Sequence, residues 1–315
     1  MATRLYTHPA CVAHDMGAGH PECPARLTAV LAALKAPDFA ALEWAEAPAA
    51  TFEQIVRAHP PAYIEGLLAA VPQAGRVALD ADTILSAGSG EAALRAAGAV
   101  VAAVDAVARG EIANAFCAIR PPGHHAEAST AMGFCLFNNV AIGAYQARAV
   151  HGLQRVAVID FDVHHGNGTQ AIFEQDSELF YASTHQMPLY PGTGSIQETG
   201  VGNICNAPLP PFAGSAEFRA AMTDRILPAI DAFRPDLLLI SAGFDAHKAD
   251  PLANLQFEEA DYAWVTDELL ALARRHCHGR VVSALEGGYD LTALAASAAA
   301  HVRRLMAAAG NRSLP

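Results

Sequence analysis

Residues 160–164 (Asp-Phe-Asp-Val-His) place two carboxylates and an imidazole at alternate positions directly after an apolar run. Alternate residues of an extended segment point to the same side, so Asp160, Asp162 and His164 are expected to share one face. A carboxylate and an imidazole two residues apart can chelate one divalent ion, and the distant Asp245 can complete the set. Two oxygen ligands, one nitrogen and an open position for water are typical of a catalytic zinc site.

Two histidines and a tyrosine are candidates for the reacting groups beside such a metal. His124 and His125 follow a Pro-Pro-Gly turn, and imidazole titrates near neutral pH, which favours general acid–base catalysis over surface histidines. Asp160 and Asn167 are available to hydrogen-bond the two rings and fix their tautomers. Tyr289 follows two glycines that leave it room to turn toward an oxyanion, although a buried core tyrosine is the alternative.

These residues follow short apolar runs that alternate with longer Ala-rich segments. The runs predict strands at residues 4–7, 115–119, 156–161, 179–183, 237–241 and 281–285. The Ala-rich segments predict helices at residues 26–34, 91–109, 138–151, 217–233, 258–275 and 291–308. Almost continuously apolar strands that alternate with helices indicate a parallel sheet covered on both faces. We therefore predict an α/β fold, a single-domain open parallel sheet sandwiched by helices, over residues 1–315.

Five of the predicted strands run into polar, titratable residues set among glycines. These strand ends are residues 120–125, 162–168, 184–185, 242–247 and 286–290. Because ligands of parallel α/β sheets bind at the carboxyl ends of the strands, we expect these segments to converge on one edge of the sheet. The stretch 185–211 is rich in Gly, Pro and Asn and is predicted to form long active-site loops.

The composition limits the class of protein. Of the 315 residues 52% are hydrophobic and 17% are charged, which favours a large core over disorder. No uncharged apolar run is long enough to span a bilayer, and the first residues lack the pattern of an export signal, so we expect a cytoplasmic protein with no membrane contact. The six cysteines have no C-x-x-C spacing, which fits a reducing compartment.

The charge of the chain bears on its partners. A net charge of −12 argues against binding nucleic acid through its phosphates. The same charge would attract cationic partners such as basic protein tails or polyamines. Ordinary solubility is the alternative explanation.

The motifs of the chain form a specific set when they are taken in order. They are His-Pro-Glu-Cys-Pro-Ala-Arg at 20–26, Arg-Pro-Pro-Gly-His-His at 120–125, Gly-Phe-Cys-Leu-Phe-Asn at 133–138, Asp-Phe-Asp-Val-His-His-Gly-Asn-Gly-Thr at 160–169, Tyr-Pro-Gly-Thr-Gly at 190–194, Ser-Ala-Gly-Phe-Asp-Ala at 241–246 and Glu-Gly-Gly-Tyr at 286–289. Together they resemble the histone deacetylase and acetylpolyamine amidohydrolase superfamily. Asn167, where some members have Asp, makes the chain similar to class II-like, bacterial-type members.

This resemblance implies a zinc-dependent amidohydrolase that removes acetyl groups from amines. By similarity, one Zn²⁺ per chain is bound by Asp162, His164 and Asp245, where it would polarise the acetyl carbonyl and activate a water. His125 is implied as the main general base and then as the acid that protonates the leaving amine. Tyr289 is implied to stabilise the tetrahedral oxyanion.

The remaining site residues also follow from the resemblance. His124 is implied as an electrostatic partner held by Asp160, and Asn167 as the residue that orients His125. The walls of a narrow substrate tunnel are implied to include Gly133, Phe134 and Tyr190.

The resemblance further implies monovalent cations and an internal channel. One K⁺ site matches Asp160, Asp162, His164, Ser183 and Thr184. A second K⁺ site is implied near Phe173, Asp176 and Leu179. Arg26 is similar to the residue that lines a channel beneath the metal, through which acetate would leave.

The substrate is less well specified than the chemistry. Leu252 occupies a rim position where a polyamine-selective relative carries Glu, which favours an acetylated lysine peptide or protein over an acetylated polyamine. Asp80 and Asp82 are other rim carboxylates that could recognise a cation, so the acetylpolyamine alternative stays open.

Two further alternatives share the motifs only in part. An arginase-like binuclear manganese hydrolase would need additional carboxylates where this chain has Gly166 and His247. A non-catalytic protein that binds acetylated ligands would be expected to lack a metal ligand or the tyrosine, and all are present here. A homo-oligomer is compatible with the family, whose members form monomers, dimers and tetramers.

Overall fold

The computed structural model describes residues 1–310 as one open sheet between layers of helices. The ten strands are β1 (Thr3–Thr7), β2 (Glu43–Glu46), β3 (Arg76–Ala78), β4 (Ile84–Ser86), β5 (Asn114–Cys117), β6 (Val156–Asp160), β7 (Leu179–Gln186), β8 (Ile204–Leu209), β9 (Leu237–Ala242) and β10 (Val281–Leu285). Eight of them form a parallel sheet in the order β2-β1-β5-β10-β9-β6-β7-β8, and β3 and β4 form a separate antiparallel hairpin.

The helices cover the sheet. They are α1 (Ala10–Ala13), α2 (Pro24–Ala33), α3 (Phe52–Ile55), α4 (Pro61–Ala69), α5 (Ser89–Ala108), α6 (Asn139–His151), α7 (Asn167–Phe173), α8 (Ser215–Ala221), α9 (Leu227–Phe233), α10 (Glu259–His276) and α11 (Leu291–Gly310), with a 3₁₀ turn at Pro37–Phe39. Helices α5 and α6 pack on each other and on the central strands, whereas α11 packs on α10 and α2. Every residue of β5, β6, β7, β9 and β10 is buried, as expected for strands covered on both faces.

The structure confirms the predicted fold class and all six predicted strands, with small shifts at their ends. The prediction of loops over 185–211 is wrong at its two ends, because β7 continues to Gln186 and residues 204–209 form β8. Strand β8 lies at the sheet edge, where a proline such as Pro208 is tolerated, so its sequence does not have the pattern of a buried strand. The single domain over 1–315 stays a prediction, and residues 311–315 lie outside the described residues.

The predicted helix over 217–233 is interrupted in the structure. A π-helical turn at Met222–Ile226 separates α8 from α9. Pro228 lies in the first turn of α9 and has no N–H to donate to the preceding turn. A π-turn at that point is one of the known responses of a helix to such a break.

The sheet order explains why the chemistry collects at one place. Strands β5, β10, β9, β6 and β7 are neighbours, and they are the five strands whose ends carry the polar motifs. Asp160 at the end of β6 pairs in register with Ser183 on one side and Ser241 on the other. The five motifs therefore meet at the carboxyl edge of the sheet, as the sequence predicts.

Two further expectations concern the environment of the chain. Among residues 1–310, no helix is long and apolar enough to cross a membrane. No disulfide joins the cysteines of this region.

Gly98 in α5 offers a test of helix packing against the neighbouring loop. A Cβ at this position would lie 2.0 Å from the carbonyl oxygen of Pro48 and 2.7 Å from the amide nitrogen of Ala50. We expect Gly98→Ala to lower the free energy of unfolding by about 1–3 kcal/mol, because backbone atoms cannot yield to the added methyl group. Urea denaturation would measure the change.

The matched control is Gly66→Ala in α4, where an added Cβ meets nothing within 4 Å. This substitution should stabilise the chain by about 0.5–1 kcal/mol, since alanine is the better helix former. Equal stabilisation by both substitutions would mean that α5 does not pack as closely as described.

Candidate functional site

Three side chains that could bind a metal meet at the ends of β6 and β9. Nδ1 of His164 lies 3.1 Å from Oδ1 of Asp162 and 3.2 Å from Oδ2 of Asp245. Their ligand atoms lie within 4.8 Å of one another, and all three residues are buried. Ligands at about 2.0–2.1 Å from a tetrahedral zinc ion lie roughly 3.3 Å apart, so the described spacing fits such an ion.

The surroundings of the two carboxylates also fit a cation. The Gly287 amide donates to Asp162 at 2.8 Å, and the Val163 amide donates to Asp245 at 2.9 Å. A Cβ at Gly287 would lie 2.0 Å from Oδ2 of Asp245, so only glycine leaves room for this carboxylate. Burial and the neighbouring charge of Asp162 raise the pKa of Asp245 to about 7. A bound cation would offset that cost, since it favours the ionised carboxylate.

The His124–His125 pair lies beside this cluster, on the segment that leaves β5. The two ring centroids are 4.0 Å apart. Nδ1 of His124 donates to Oδ2 of Asp160 at 2.9 Å, and Nδ1 of His125 lies 2.8 Å from Oδ1 of Asn167. The amide of Asn167 is oriented by Glu127, which accepts from Nδ2 at 2.9 Å. Asn167 therefore presents its oxygen to His125, which places the proton of a neutral ring on Nδ1.

The two rings differ in their electrostatic surroundings. Burial acts to lower the pKa of His124, but the charges of Asp160 and Asp162 outweigh it and hold the pKa well above its usual range. Burial, followed by the neighbouring His124 and His164, holds the pKa of His125 well below its usual range. A charged and a neutral imidazole therefore lie side by side. The two rings can take different roles in acid–base catalysis.

Glu286 is a site residue whose role the sequence does not predict. Its Oε2 accepts from the backbone amides of Gly123 at 2.6 Å and His124 at 3.1 Å, and its Oε1 accepts from Oγ of Ser241 at 3.2 Å. Burial raises the pKa of Glu286 to about 7, against the opposing charge of His124. Glu286 thus connects the ends of β5, β9 and β10 under the histidine pair. The feature of the sequence that could have indicated this role is a carboxylate directly after the apolar residues of β10.

Tyr289 lies above a buried arginine. The guanidinium carbon of Arg26 is 4.8 Å from the centroid of the Tyr289 ring. Arg26 donates to the backbone carbonyls of Glu286 at 2.6 Å and Gly288 at 2.5 Å, and to Glu22 at 2.9 Å. Arg26 thereby fixes the turn that carries Tyr289. The channel role predicted for Arg26 stays a prediction.

The four residues predicted to contact substrate all line one cavity of about 220 Å³, which His164 of the metal-ligand cluster also lines. A Cβ at Gly133 would lie 2.4 Å from Cδ2 of His125, so glycine is required there. The cavity is lined by Asp82, His125, Gly133, Phe134, His164, Leu189, Tyr190, Leu252 and Tyr289. The sequence does not predict Leu189 as a lining residue, and it predicts Asp82 only as a rim carboxylate.

The predicted first potassium site lies behind the cluster. Asp160 accepts from the Asp162 amide at 3.1 Å and from the Tyr181 hydroxyl at 3.1 Å. Ser183 is adjacent to Asp160 in register and bonds Nδ1 of His185 at 2.9 Å. The buried Thr184 hydroxyl has no hydrogen-bond partner among the described residues. Asp160 and Ser183 bring a buried carboxylate and a hydroxyl to the same register position, which fits a monovalent cation.

Several known proteins are similar to this chain in sequence or in structure. The histone deacetylase domain model matches residues 20–305. The chain is 42% identical to histone deacetylase 14, chloroplastic, of Arabidopsis thaliana, over 97% of this chain and 77% of that protein. It is 41% identical to a histone deacetylase-like amidohydrolase of Pseudomonas aeruginosa, over 87% of this chain and 73% of that protein.

Relatives also occur in archaea and among solved structures. A probable deacetylase of Archaeoglobus fulgidus is 37% identical, over 92% of this chain and 82% of that protein. The crystal structure of the HDA15 HD domain matches with a TM-score of 0.92 at 35% identity, over 97% of this chain and 88% of that one. The described strand order, the carboxyl-edge site and the matched domain agree, and the chain belongs to the histone deacetylase family of hydrolases.

Proposed function

We propose that this protein is a zinc-dependent deacetylase that hydrolyses acetylated amines, with acetylated lysine side chains as the favoured substrate. One observation carries the proposal: His164 of the metal-ligand cluster, His125 and Tyr289 line a single cavity. Asp162, His164 and Asp245 would hold the zinc ion. When bound, zinc supplies Lewis-acid polarisation of the acetyl carbonyl and lowers the pKa of a water molecule.

His125 is the residue placed to move the proton. Because Nδ1 donates to Asn167, the lone pair of the neutral ring is on Nε2. His125 would take a proton from the attacking water and give it to the leaving amine. His124, paired with Asp160, would keep a positive charge beside the developing oxyanion. The pairing of each ring with its own partner supports this division of roles.

Tyr289 would stabilise the tetrahedral oxyanion. Its ring lines the cavity, and its hydroxyl donates no hydrogen bond to the described residues, so the hydroxyl is available to a substrate oxygen. Burial raises its pKa well above the usual range, although the nearby Arg26 acts to lower it. The hydroxyl therefore stays protonated and can donate a hydrogen bond at neutral pH.

The metal-binding residues support one metal ion rather than two. Within residues 1–310, Asp162, His164 and Asp245 are the only group of three or more His, Cys, Asp or Glu side chains spaced to share an ion. A Cβ at Gly166 would lie 2.3 Å from Oδ2 of Asp160, so this position has no room for the added carboxylate of an arginase-like site. The complete set of reacting groups also supports an enzyme over a non-catalytic acetyl-ligand binding protein.

A monovalent cation is proposed at the first potassium site. The buried carboxylate of Asp160 and the neighbouring Ser183 support K⁺ at this position, beside Asp162, His164 and Thr184. Its role would be to balance buried negative charge under the metal-ligand cluster. The cytoplasmic location and the absence of nucleic-acid binding stay predictions, as does the oligomeric state.

The walls of the cavity support a lysine side chain over a small polyamine. Phe134, Tyr190, Leu189 and Leu252 provide an apolar passage that suits an aliphatic stem. Asp82 is the one carboxylate that lines the described cavity, and it is half-buried at the mouth. A single carboxylate can accept a hydrogen bond from a peptide backbone or pair with the distal ammonium of a diamine, so acetylpolyamines remain the second candidate.

Asp245→Asn tests the metal assignment. The amide keeps the oxygen that accepts from Val163, but it is neutral and a poorer zinc ligand. We expect the zinc content of the purified chain to fall from about one ion to a small fraction of one, as measured by elemental mass spectrometry. Asp105→Asn is the control, because Asp105 bonds only Gln146 and His151 away from the cluster. A fully metallated Asp245→Asn variant would refute the ligand role.

Tyr289→Phe tests the oxyanion role. Loss of one such donor typically lowers kcat by about 10²–10³. We expect a loss of that size with unchanged zinc content and an unchanged thermal midpoint. Tyr262→Phe is the matched control, since the buried Tyr262 hydroxyl has no partner among the described residues and should be dispensable. Near-normal turnover of Tyr289→Phe would mean that the tyrosine does not face the carbonyl.

Side-by-side kinetics test the substrate. We expect kcat/KM for an acetyl-lysine peptide to exceed that for N-acetylputrescine by about 10-fold or more, because the diamine leaves its charged end beside Leu252. Asp82→Asn separates the two roles of the mouth carboxylate: loss of its charge should hardly affect the peptide. A strong preference for the diamine, removed by Asp82→Asn, would overturn the lysine assignment in favour of the polyamine.

A further inference from the structure

The turn between α7 and β7 contains a second cluster of oxygen atoms, outside the catalytic cavity. Backbone carbonyls of Phe173, Asp176 and Leu179 converge on one point, which is occupied by Nδ2 of Asn203. The distances from this nitrogen to the three oxygens are 2.8, 3.0 and 2.7 Å. We call these three carbonyls the carbonyl cage. They are the residues of the second potassium site implied by the resemblance of the sequence.

The orientation of the Asn203 amide is determined by its other end. Oδ1 of Asn203 accepts from the Val201 amide at 3.1 Å. A flipped amide would direct Oδ1 at three carbonyl oxygens and Nδ2 at an N–H group, so every one of these contacts would become repulsive. The side chain is also buried, with 3% of its surface exposed. The amide N–H groups therefore face the cage.

The position of the cage favours a positive partner. Phe173 is the last residue of α7, where the helix dipole is negative. The Phe173 carbonyl accepts from the Asp176 amide at 2.9 Å and the Asp176 carbonyl from the Leu179 amide at 3.0 Å, which leaves each oxygen a second lone pair for a further donor. A ring of backbone carbonyls can replace the hydration shell of K⁺. The N–H groups of the Asn203 side-chain amide bring partial positive charge to the same point. Unlike an ion, this amide is covalently attached to the chain.

A cation and this amide exclude each other. The nitrogen lies within 3.0 Å of all three oxygens, so an ion could enter only after the side chain had left. Leaving would break these contacts and the one to Val201. Gly200 also closes over Oδ1, because a Cβ there would lie 2.5 Å from it. The described residues of the cage do not fit a monovalent cation.

We propose that Asn203 is a built-in substitute for a cation, so that the native cage holds no potassium ion. Asn203 connects these elements without an ion. Its side-chain nitrogen donates to the end of α7 and to the turn into β7. Its backbone carbonyl accepts from the Tyr181 amide of β7 at 3.0 Å. Asn203 directly precedes β8, so it also fixes the start of that edge strand. The proposal concerns stability and is independent of the catalytic assignment.

Removal of the amide should convert the cage into a cation site. The full, metal-loaded chain would be melted in KCl and in N-methylglucamine chloride at equal ionic strength. Without K⁺, we expect Asn203→Ala to lower the thermal midpoint on the order of 5 °C, because the three carbonyls lose the side-chain amide that they share. With K⁺, most of that loss should be recovered. The first potassium site is common to all variants, so its contribution cancels in the comparison with the native chain.

Asn114→Ala is the matched control. Asn114 is also buried, and its Nδ2 donates to a single carbonyl, that of Leu305, at 2.9 Å. Loss of this amide should lower the midpoint without any additional recovery in K⁺. An equal K⁺ response in the native chain, Asn203→Ala and Asn114→Ala would overturn the proposal.

Crystals of the native chain soaked in thallium(I), which replaces K⁺ and scatters anomalously, give a second test that does not depend on a variant folding. We expect no anomalous peak within about 3 Å of the three cage carbonyls, the range of the contacts described. A peak at that position, with the Asn203 side chain displaced, would overturn the proposal. In crystals of Asn203→Ala, a peak in the cage is expected, and its absence would show that the cage is not a cation site.

Discussion

Buried negative charge at the carboxyl edge of the sheet is the constraint on which the rest of the structure depends. Asp160, Asp162, Asp245 and Glu286 are buried within one region, where water cannot stabilise their charges. The fold supplies backbone amides, two imidazoles and a site for a cation instead. The strand ends must approach closely for this, and Gly287 is one place where any side chain would collide with a carboxylate.

The same electrostatics separates two adjacent histidines into different states. His124 lies between Asp160 and Asp162, whereas His125 faces the neutral amide of Asn167. His124 and His125 therefore differ in their protonation states because of groups that come from β6 and the start of α7. Their own segment does not cause the difference. Glu286 adds a link from β10 to the backbone of the pair, so the position of the acid–base groups depends on three strands at once.

Two oxygen clusters in this protein are stabilised by different means. At the catalytic edge the donors are carboxylates and an imidazole with an open cavity above them, which suits an exchangeable, reactive ion and its substrate. At the carbonyl cage the oxygens are uncharged and enclosed, and one side-chain amide contacts all three, two of which also accept from backbone amides. Full negative charge calls for a full positive charge, whereas carbonyl dipoles can be matched by N–H groups.

The sequence alone determined the fold class, the five motif-bearing strands and the spacing of Asp160, Asp162 and His164, because apolar periodicity and local spacing are properties of contiguous residues. It could not predict β2 or β8, whose strand character comes from pairing at a sheet edge. The role of Glu286 and the position of the Asn203 amide in the carbonyl cage are determined only by the tertiary structure. Both depend on contacts between residues far apart in the chain, where only the folded geometry determines which donor meets which acceptor.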